Sequence, residues 1–212
     1  MVNIFLTSFD KPLDKNVFAQ YRALLPHYLQ KKNSAYLLWQ DSHAHLFGKL
    51  LFKEALKIFG IKTNCWDYLI YNSFKRPCLT LSKFDINISH SGSYVICVIG
   101  KGIRVGIDIE KIKNLKIETF LDVMSSYQWE KINNSQNRIS EFYRYWTIME
   151  SVVKADGQGM ALPFKKLRLT NNTVYCNQKL WYIKEIEIDS AYKSALATDH
   201  LTEFKIHRIN YY

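Results

Sequence analysis

Cysteine is too sparse in this chain to build a framework. The four cysteines among 212 residues, Cys65, Cys78, Cys97 and Cys176, stand far apart, with no Cys-x-x-Cys pair. That spacing argues against a disulfide scaffold and for reduced thiols in a reducing cytosol. Glycine (8) and proline (4) are also few. No Pro/Gly/Ser-rich linker, low-complexity tract or short-period repeat interrupts the sequence, which therefore reads as compact throughout. Long hydrophobic runs are missing as well. The longest apolar stretch, Tyr94 to Ile99, is far too short to cross a bilayer, and the segment Met1 to Ser8 lacks a basic region followed by an apolar run. A soluble, unprocessed, cytoplasmic protein with no membrane partner is expected. Acidic residues are the minority charge, 19 against 29 Lys and Arg, for a formal net charge of +10. The partners should therefore be acidic. The basic residues are scattered rather than gathered in a tail, and no recognition motif or aromatic platform is evident, so nucleic acid is not the expected partner.

What is present is a core-sized supply of apolar residues, 48% of the chain, enough for one large domain or two small ones. Polar groups also recur at informative spacings. In Val105-Gly-Ile-Asp-Ile-Glu110 the residues alternate, so Val105, Ile107 and Ile109 share one face of a strand while Gly106, Asp108 and Glu110 share the other. Two residues apart on a strand, roughly 6.6–7 Å between Cα atoms, both carboxylates can reach one hard divalent cation. A third acid comes from Trp146-Thr-Ile-Met-Glu-Ser-Val-Val-Lys154. There Phe142, Tyr145, Trp146, Met149, Val152 and Val153 mark the apolar stripe of a helix, with Glu150 and Lys154 together at its border. Taken alone, that pair reads as an ordinary helix salt bridge. His90 follows Ser89 at a strand end and precedes a Ser-Gly-Ser turn, where side chains and amides can meet phosphate; turn capping is the alternative. His43 and His45, about 200° apart around a helix, make a poor metal chelate and read as structural.

The coarse element order opens with a strand over Asn3 to Ser8, helices over Asn16 to Leu25 and Ser42 to Phe59, and strands over Trp66 to Tyr71, Ile86 to Ser89 and Tyr94 to Ile99. The second part follows the same order. A strand over Val105 to Glu110 leads to helices over Ile117 to Met124, Ser126 to Asn133 and Ser140 to Asp156. Strands follow near Leu167 to Leu169, Val174 to Cys176, Lys179 to Glu187 and Tyr192 to Thr198.

These motifs, with Asn87-Ile-Ser-His-Ser-Gly-Ser93, Gly157-Gln-Gly159, Phe9-Asp-Lys-Pro-Leu13, Asp41-Ser-His-Ala-His-Leu-Phe-Gly48, Lys75-Arg-Pro-Cys78, Trp181-Tyr-Ile-Lys184 and Ala191-Tyr-Lys193, resemble the surfactin-type 4′-phosphopantetheinyl transferases over nearly the whole chain. The ordered set is specific, although any one piece is not. The resemblance implies an α+β fold of two pseudo-twofold-related α/β halves with antiparallel sheets, residues 1–103 and 104–212, with the active site in the cleft between them. It implies transfer of the phosphopantetheine arm of coenzyme A to a serine of an apo acyl or peptidyl carrier protein, with adenosine 3′,5′-bisphosphate as the other product. Asp108, Glu110 and Glu150 would hold Mg2+, with Mn2+ as a substitute, and Glu150 and Lys154 would be catalytic. Ser89, His90, Arg76, Lys31, Lys32 and Lys154 would bind the coenzyme. A monomer is implied by resemblance in size.

Two departures stand out. Met149 occupies the position where the family typically has a lysine, and Ala44 the position of an arginine. Both put coenzyme affinity in question and motivate the alternative of a relative that binds coenzyme A or a carrier without transfer. Met149→Lys is expected to tighten coenzyme binding, its stem running along the apolar stripe and its charge reaching the cleft; the alternative is that Met149 belongs to the hydrophobic core, where a buried ammonium would destabilise the protein with no gain in affinity.

Overall fold

The computed structural model describes residues 1–62, 65–159 and 162–212. The chain starts in β1 (Val2–Ser8), continues through α1 (Lys15–Ala23), α2 (His27–Ser34) and α3 (Trp39–Lys57), and returns through β2 (Leu69–Tyr71), β3 (Pro77–Leu79), β4 (Phe84–Ser91) and β5 (Tyr94–Lys101). The second half runs through β6 (Val105–Lys111), α4 (Ser126–Asn133), α5 (Arg138–Asp156), β7 (Arg168–Thr170), β8 (Thr173–Cys176), β9 (Lys179–Glu185), β10 (Tyr192–Thr198) and β11 (Phe204–Arg208). The architecture is α+β.

Local chemistry sets several boundaries. Asp14 accepts the amides of Asn16 and Val17 and starts α1. Ser125 and Gln128 form a reciprocal capping box that starts α4. Because Ser125 must be extended to cap (φ −73°, ψ 160°), no helix runs on from the preceding segment. The helix expected over Ile117 to Met124 is a single 3-10 turn, Ile117–Phe120. Likewise the strand expected from Trp66 begins as a 3-10 turn, Cys65–Tyr68, before β2. Three elements have no counterpart in the sequence expectations. α2 buries only Leu29 and Asn33, too narrow a stripe to register as a pattern. β3 is three residues long, and β11 alternates only weakly.

Two main sheets form, ordered β11-β1-β5-β4 and β6-β10-β9-β8-β7, and β2 pairs with β3 in a separate two-stranded sheet. Leaving β11 aside, in each half the opening strand pairs antiparallel with the last strand of that half, β1 with β5 and β6 with β10. That last strand pairs in turn with the strand before it, β4 or β9. A 19-residue helix crosses each pair, α3 over β1 and β5, α5 over β6 and β10. β11 departs from this scheme, pairing parallel with β1 on the first half's sheet.

Strand alternation builds the layers. Phe5, Val95, Cys97 and Ile99 face α3, whereas Val2, Ile4, Leu6, Ile96 and Val98 pack against Val105, Ile107, Ile109 and Leu196 of the second sheet. Ala195, Ala197, Trp181 and Ile183 in turn meet α5. The order is therefore helix, sheet, sheet, helix, with three buried apolar layers. Among the described residues, no helix is long and apolar enough to cross a membrane.

Candidate active site at the seam of the two sheets

The two sheets meet along β4 and β6, and side chains hold that seam. Asp85 Oδ2 accepts the Val105 amide (2.9 Å), Asn87 Oδ1 accepts the Ile107 amide (2.9 Å), and Ser91 Oγ accepts the Lys111 amide (3.1 Å). Asp85, Asn87 and Ser91 of β4 thus each accept the backbone amide of the residue twenty positions further on. The same face supplies hydroxyls to the acids. Ser89 Oγ donates to Asp108 Oδ1 (2.8 Å) and Ser91 Oγ donates to Glu110 Oε2 (2.7 Å).

α5 lies across the acidic face of β6, and Gly106 lets it approach. A Cβ at Gly106 would stand 2.1 Å from the Ser151 carbonyl oxygen and 2.4 Å from the Ala155 nitrogen. This close crossing brings Lys154 onto Asp108 Oδ1 as an ion pair and within 3.0 Å of Ser89 Oγ. Gly157, at φ 87°, ends the helix in the left-handed region with its amide donating to the Val153 carbonyl. A cavity of about 210 Å³ opens beside Glu150 and Lys154, walled by Phe74, Lys75, Pro77 and the Gly157 stop. Larger hollows of about 550 and 560 Å³ lie elsewhere and touch none of the three acids.

Burial dominates the electrostatics here. It raises the Glu110 carboxyl, the Ser91 hydrogen bond opposing and the Asp108 charge reinforcing the rise. It also raises Glu150, against the pull of Lys154. Burial works against the Lys154 ammonium, but Asp108, Glu150 and Glu110 together outweigh it and hold the amine protonated. His90 sits exposed at the mouth of the cleft, where surrounding chain and the nearby Lys154 disfavour its charged form.

A second cationic cluster lies on the first half's side. Lys49 donates to Tyr71 Oη (2.9 Å), and Lys32 stands 5.9 Å from the centre of that ring. Burial lowers Lys49 to about 8 and His45 to about 4, the latter also under the charges of Lys49, Lys32 and His90. Among the described residues, no hydrogen bond or ion pair joins Lys31, exposed on the last turn of α2, to this cluster. His43, by contrast, is buried and bonded to the Trp39 carbonyl and the Leu13 amide.

The candidate residues therefore divide. Asp108, Glu110, Glu150, Lys154, Ser89 and His90 come together, and Lys32 faces the neighbouring cluster. Arg76 is 6% exposed, with both terminal nitrogens on Asp85 (2.9 and 2.8 Å), Nε on the Lys154 carbonyl and Nη2 on the Val105 carbonyl. Its donors serve protein acceptors and tie the two halves together. Met149 corrects an expectation. It is fully buried within the second half's core, on the side of α5 away from the acids, so a lysine there would bury its charge. Ser91 and Asn87 were not singled out for these roles; the signal was the alternation of Asp85, Asn87, Ser89 and Ser91 within β4.

All-oxygen donors suit a hard divalent cation, and Asp108 Oδ2 is a buried acceptor with no partner. As arranged, however, no three His, Cys, Asp or Glu side chains among the described residues form a metal-holding group. Asp108 is held instead by Lys154 and Ser89, and Glu110 by Ser91. The donor set fits a cation; its present partners are internal.

Residues 104–202, which span β6, α5 and this acidic face, match the model of the 4′-phosphopantetheinyl transferase superfamily. The match covers just under half of the chain, all of it in the second half. The 4′-phosphopantetheinyl transferase Sfp of Bacillus subtilis (strain 168) is 24% identical over 94% of this chain and 93% of its own length. The 4′-phosphopantetheinyl transferase gsp of Aneurinibacillus migulanus is 29% identical over 81% and 73%. The human L-aminoadipate-semialdehyde dehydrogenase-phosphopantetheinyl transferase is 26% identical over 76% of this chain and 60% of its own. Among solved structures, holo-[acyl-carrier-protein] synthase of Thermotoga maritima aligns over 45% of this chain and 62% of its own, at 16% identity and a TM-score of 0.35. The protein is an enzyme, a phosphopantetheinyl transferase.

Proposed function

We propose that this transferase moves the 4′-phosphopantetheine arm of coenzyme A onto a serine hydroxyl of an apo acyl or peptidyl carrier protein, using Mg2+ or Mn2+, and releases adenosine 3′,5′-bisphosphate. The observation that carries the reading is the convergence of Asp108, Glu110, Glu150 and Lys154 on one seam. In the reaction a serine Oγ–P bond forms at the phosphorus bearing the pantetheine arm. The pyrophosphate P–O bond breaks, and its electron pair leaves with adenosine 3′,5′-bisphosphate.

Each residue then has a role. Asp108, Glu110 and Glu150 would hold the cation, which when bound supplies charge neutralisation on the pyrophosphate. Lys154 stabilises charge on the departing phosphate. Glu150 accepts the serine proton, its raised pKa bringing a carboxylate closer to neutral pH as a base. Ser89 and His90 line the phosphate position, with Lys32 and Lys31 further along the nucleotide. The formal charge of +10 favours both an anionic coenzyme and an acidic carrier. The active site lies between the halves 1–103 and 104–212 of a monomer. Cytoplasmic residence suits four free cysteines.

The test is mass spectrometry of an apo carrier incubated with the protein, coenzyme A and Mg2+. A gain of one phosphopantetheine is expected, and its absence across a panel of apo carriers sinks the reading. Asp108→Ala and Glu110→Ala should each abolish the gain. Asp108→Ala should also lower the melting temperature, because Asp108 is 2% exposed and its loss strips Lys154 of its partner.

A further inference from the structure

The carboxylate site already contains a cation, and it is part of the chain. Lys154 is bonded to Asp108 Oδ1 and Ser89 Oγ, with its side chain 27% exposed and that of Asp108 2% exposed. Asp108 therefore directs one oxygen at an ammonium, while its other oxygen is buried without a partner. Glu110 is turned to Ser91 (2.7 Å). This is the arrangement of a site neutralised from within, and it accounts for the acids not standing as a ready metal cage.

We infer that Lys154 is the resting counter-ion of the carboxylate site, so that a divalent cation and the Lys154 ammonium compete for Asp108. Two positive centres sharing one carboxylate repel strongly at short range in a partly buried cleft. A long, flexible lysine stem can relieve that repulsion only if another anion draws the ammonium away. A pyrophosphate arriving beside Ser89 is such an anion, since Lys154 and Ser89 already touch. Metal binding is then coupled to coenzyme binding through the movement of one side chain, and the free enzyme holds the metal weakly. The coupling is reciprocal, so the metal strengthens the coenzyme's hold by the same factor. This inference rests on the function proposed above.

The experiment measures Mn2+ binding by electron paramagnetic resonance on the full chain, with and without coenzyme A, for the wild type, Lys154→Gln and Lys154→Met. Glutamine keeps an amide donor for Asp108 and Ser89 without the charge, and thermal unfolding of both variants checks the fold. In the absence of coenzyme, both variants should bind Mn2+ about tenfold more tightly than the wild type or better, as expected for removing one nearby positive charge. The tightening conferred by coenzyme A should shrink in the same variants. If a folded Lys154→Gln binds Mn2+ no more tightly than the wild type without coenzyme, the inference is overturned. Wild-type Mn2+ affinity that is the same with and without coenzyme A overturns it too, whether or not either variant folds. Failure of the functional reading is distinguishable, since it appears as no mass gain on any apo carrier with the wild-type protein.

Discussion

Met149 shows how packing decides what a sequence pattern leaves open. Spacing places it in the middle of the apolar stripe, from which a lysine stem could still run toward the cleft. Fully buried among Tyr145, Ile148, Val152 and Trp181 in the same apolar cluster, it is core. Met149→Lys should therefore lower stability by about 2–4 kcal/mol, the order of a buried polar group without a partner plus lost packing. Coenzyme affinity should not improve. Thermal unfolding and coenzyme titration on the same variant decide the matter, and tighter binding at unchanged melting temperature would contradict the buried placement. Arg76 teaches a similar lesson in the opposite sense. A basic residue beside a phosphate motif reads as a ligand contact, yet its bidentate partner, Asp85, comes from β4 and the acceptors for its remaining nitrogens from elsewhere. None of those contacts is visible from the local sequence Lys75-Arg-Pro.

At the scale of elements, the meeting of α5 with β6 decides the site. Gly106 was legible as one of three residues on the polar face of its strand, but not as a contact point. Gly106→Ala would drive a methyl into the Ser151 carbonyl and the Ala155 nitrogen, atoms of helix backbone that cannot rotate aside. The helix must shift, carrying Glu150 and Lys154 with it. A loss of about 1–3 kcal/mol in stability is expected, with transfer activity falling more than tenfold because positioning is lost. A variant with wild-type activity and stability would refute this account of the close crossing. The strongly periodic elements, β6, α4, α5 and β10, fall close to where pattern and caps put them, since each carries its own start signal or alternation. The helix expected over Ile117 to Met124 failed because a run of mixed polar and apolar residues does not reveal that Ser125 must leave the helical region in order to cap α4.

For the whole molecule, the joint between the sheets is made by side chains where a continuous sheet would use a backbone ladder. Asn87 is 3% exposed and its Oδ1 is the acceptor for the Ile107 amide. Asn87→Ala leaves that amide unsatisfied in the interior and should cost about 1–3 kcal/mol. For a domain of this size that means a melting temperature lower by about 2–4 °C per kcal/mol. Hydrogen exchange at Ile107 should accelerate alongside, and unchanged exchange with unchanged melting would show that the seam does not depend on this bond. β11 also belongs to this scale. It follows the second half in sequence yet completes the first half's sheet beside β1, a long-range parallel pairing that its five residues do not announce.

The ordered motifs resemble those of phosphopantetheinyl transferases, and the sequence by itself determined the local chemistry: which acids share a strand face, and which acid and lysine share a helix border. These are local properties, fixed by periods of 2 and 3.6 residues and by residue type. Only the tertiary structure decided which groups meet and in what state. It set Lys154 on Asp108, turned Glu110 to Ser91, gave Arg76 to Asp85, sank Met149 into the core and joined β4 to β6 through a row of side chains. Those outcomes depend on contacts between residues far apart in the chain, and their energies come from burial and pairing that exist only once the layers have closed.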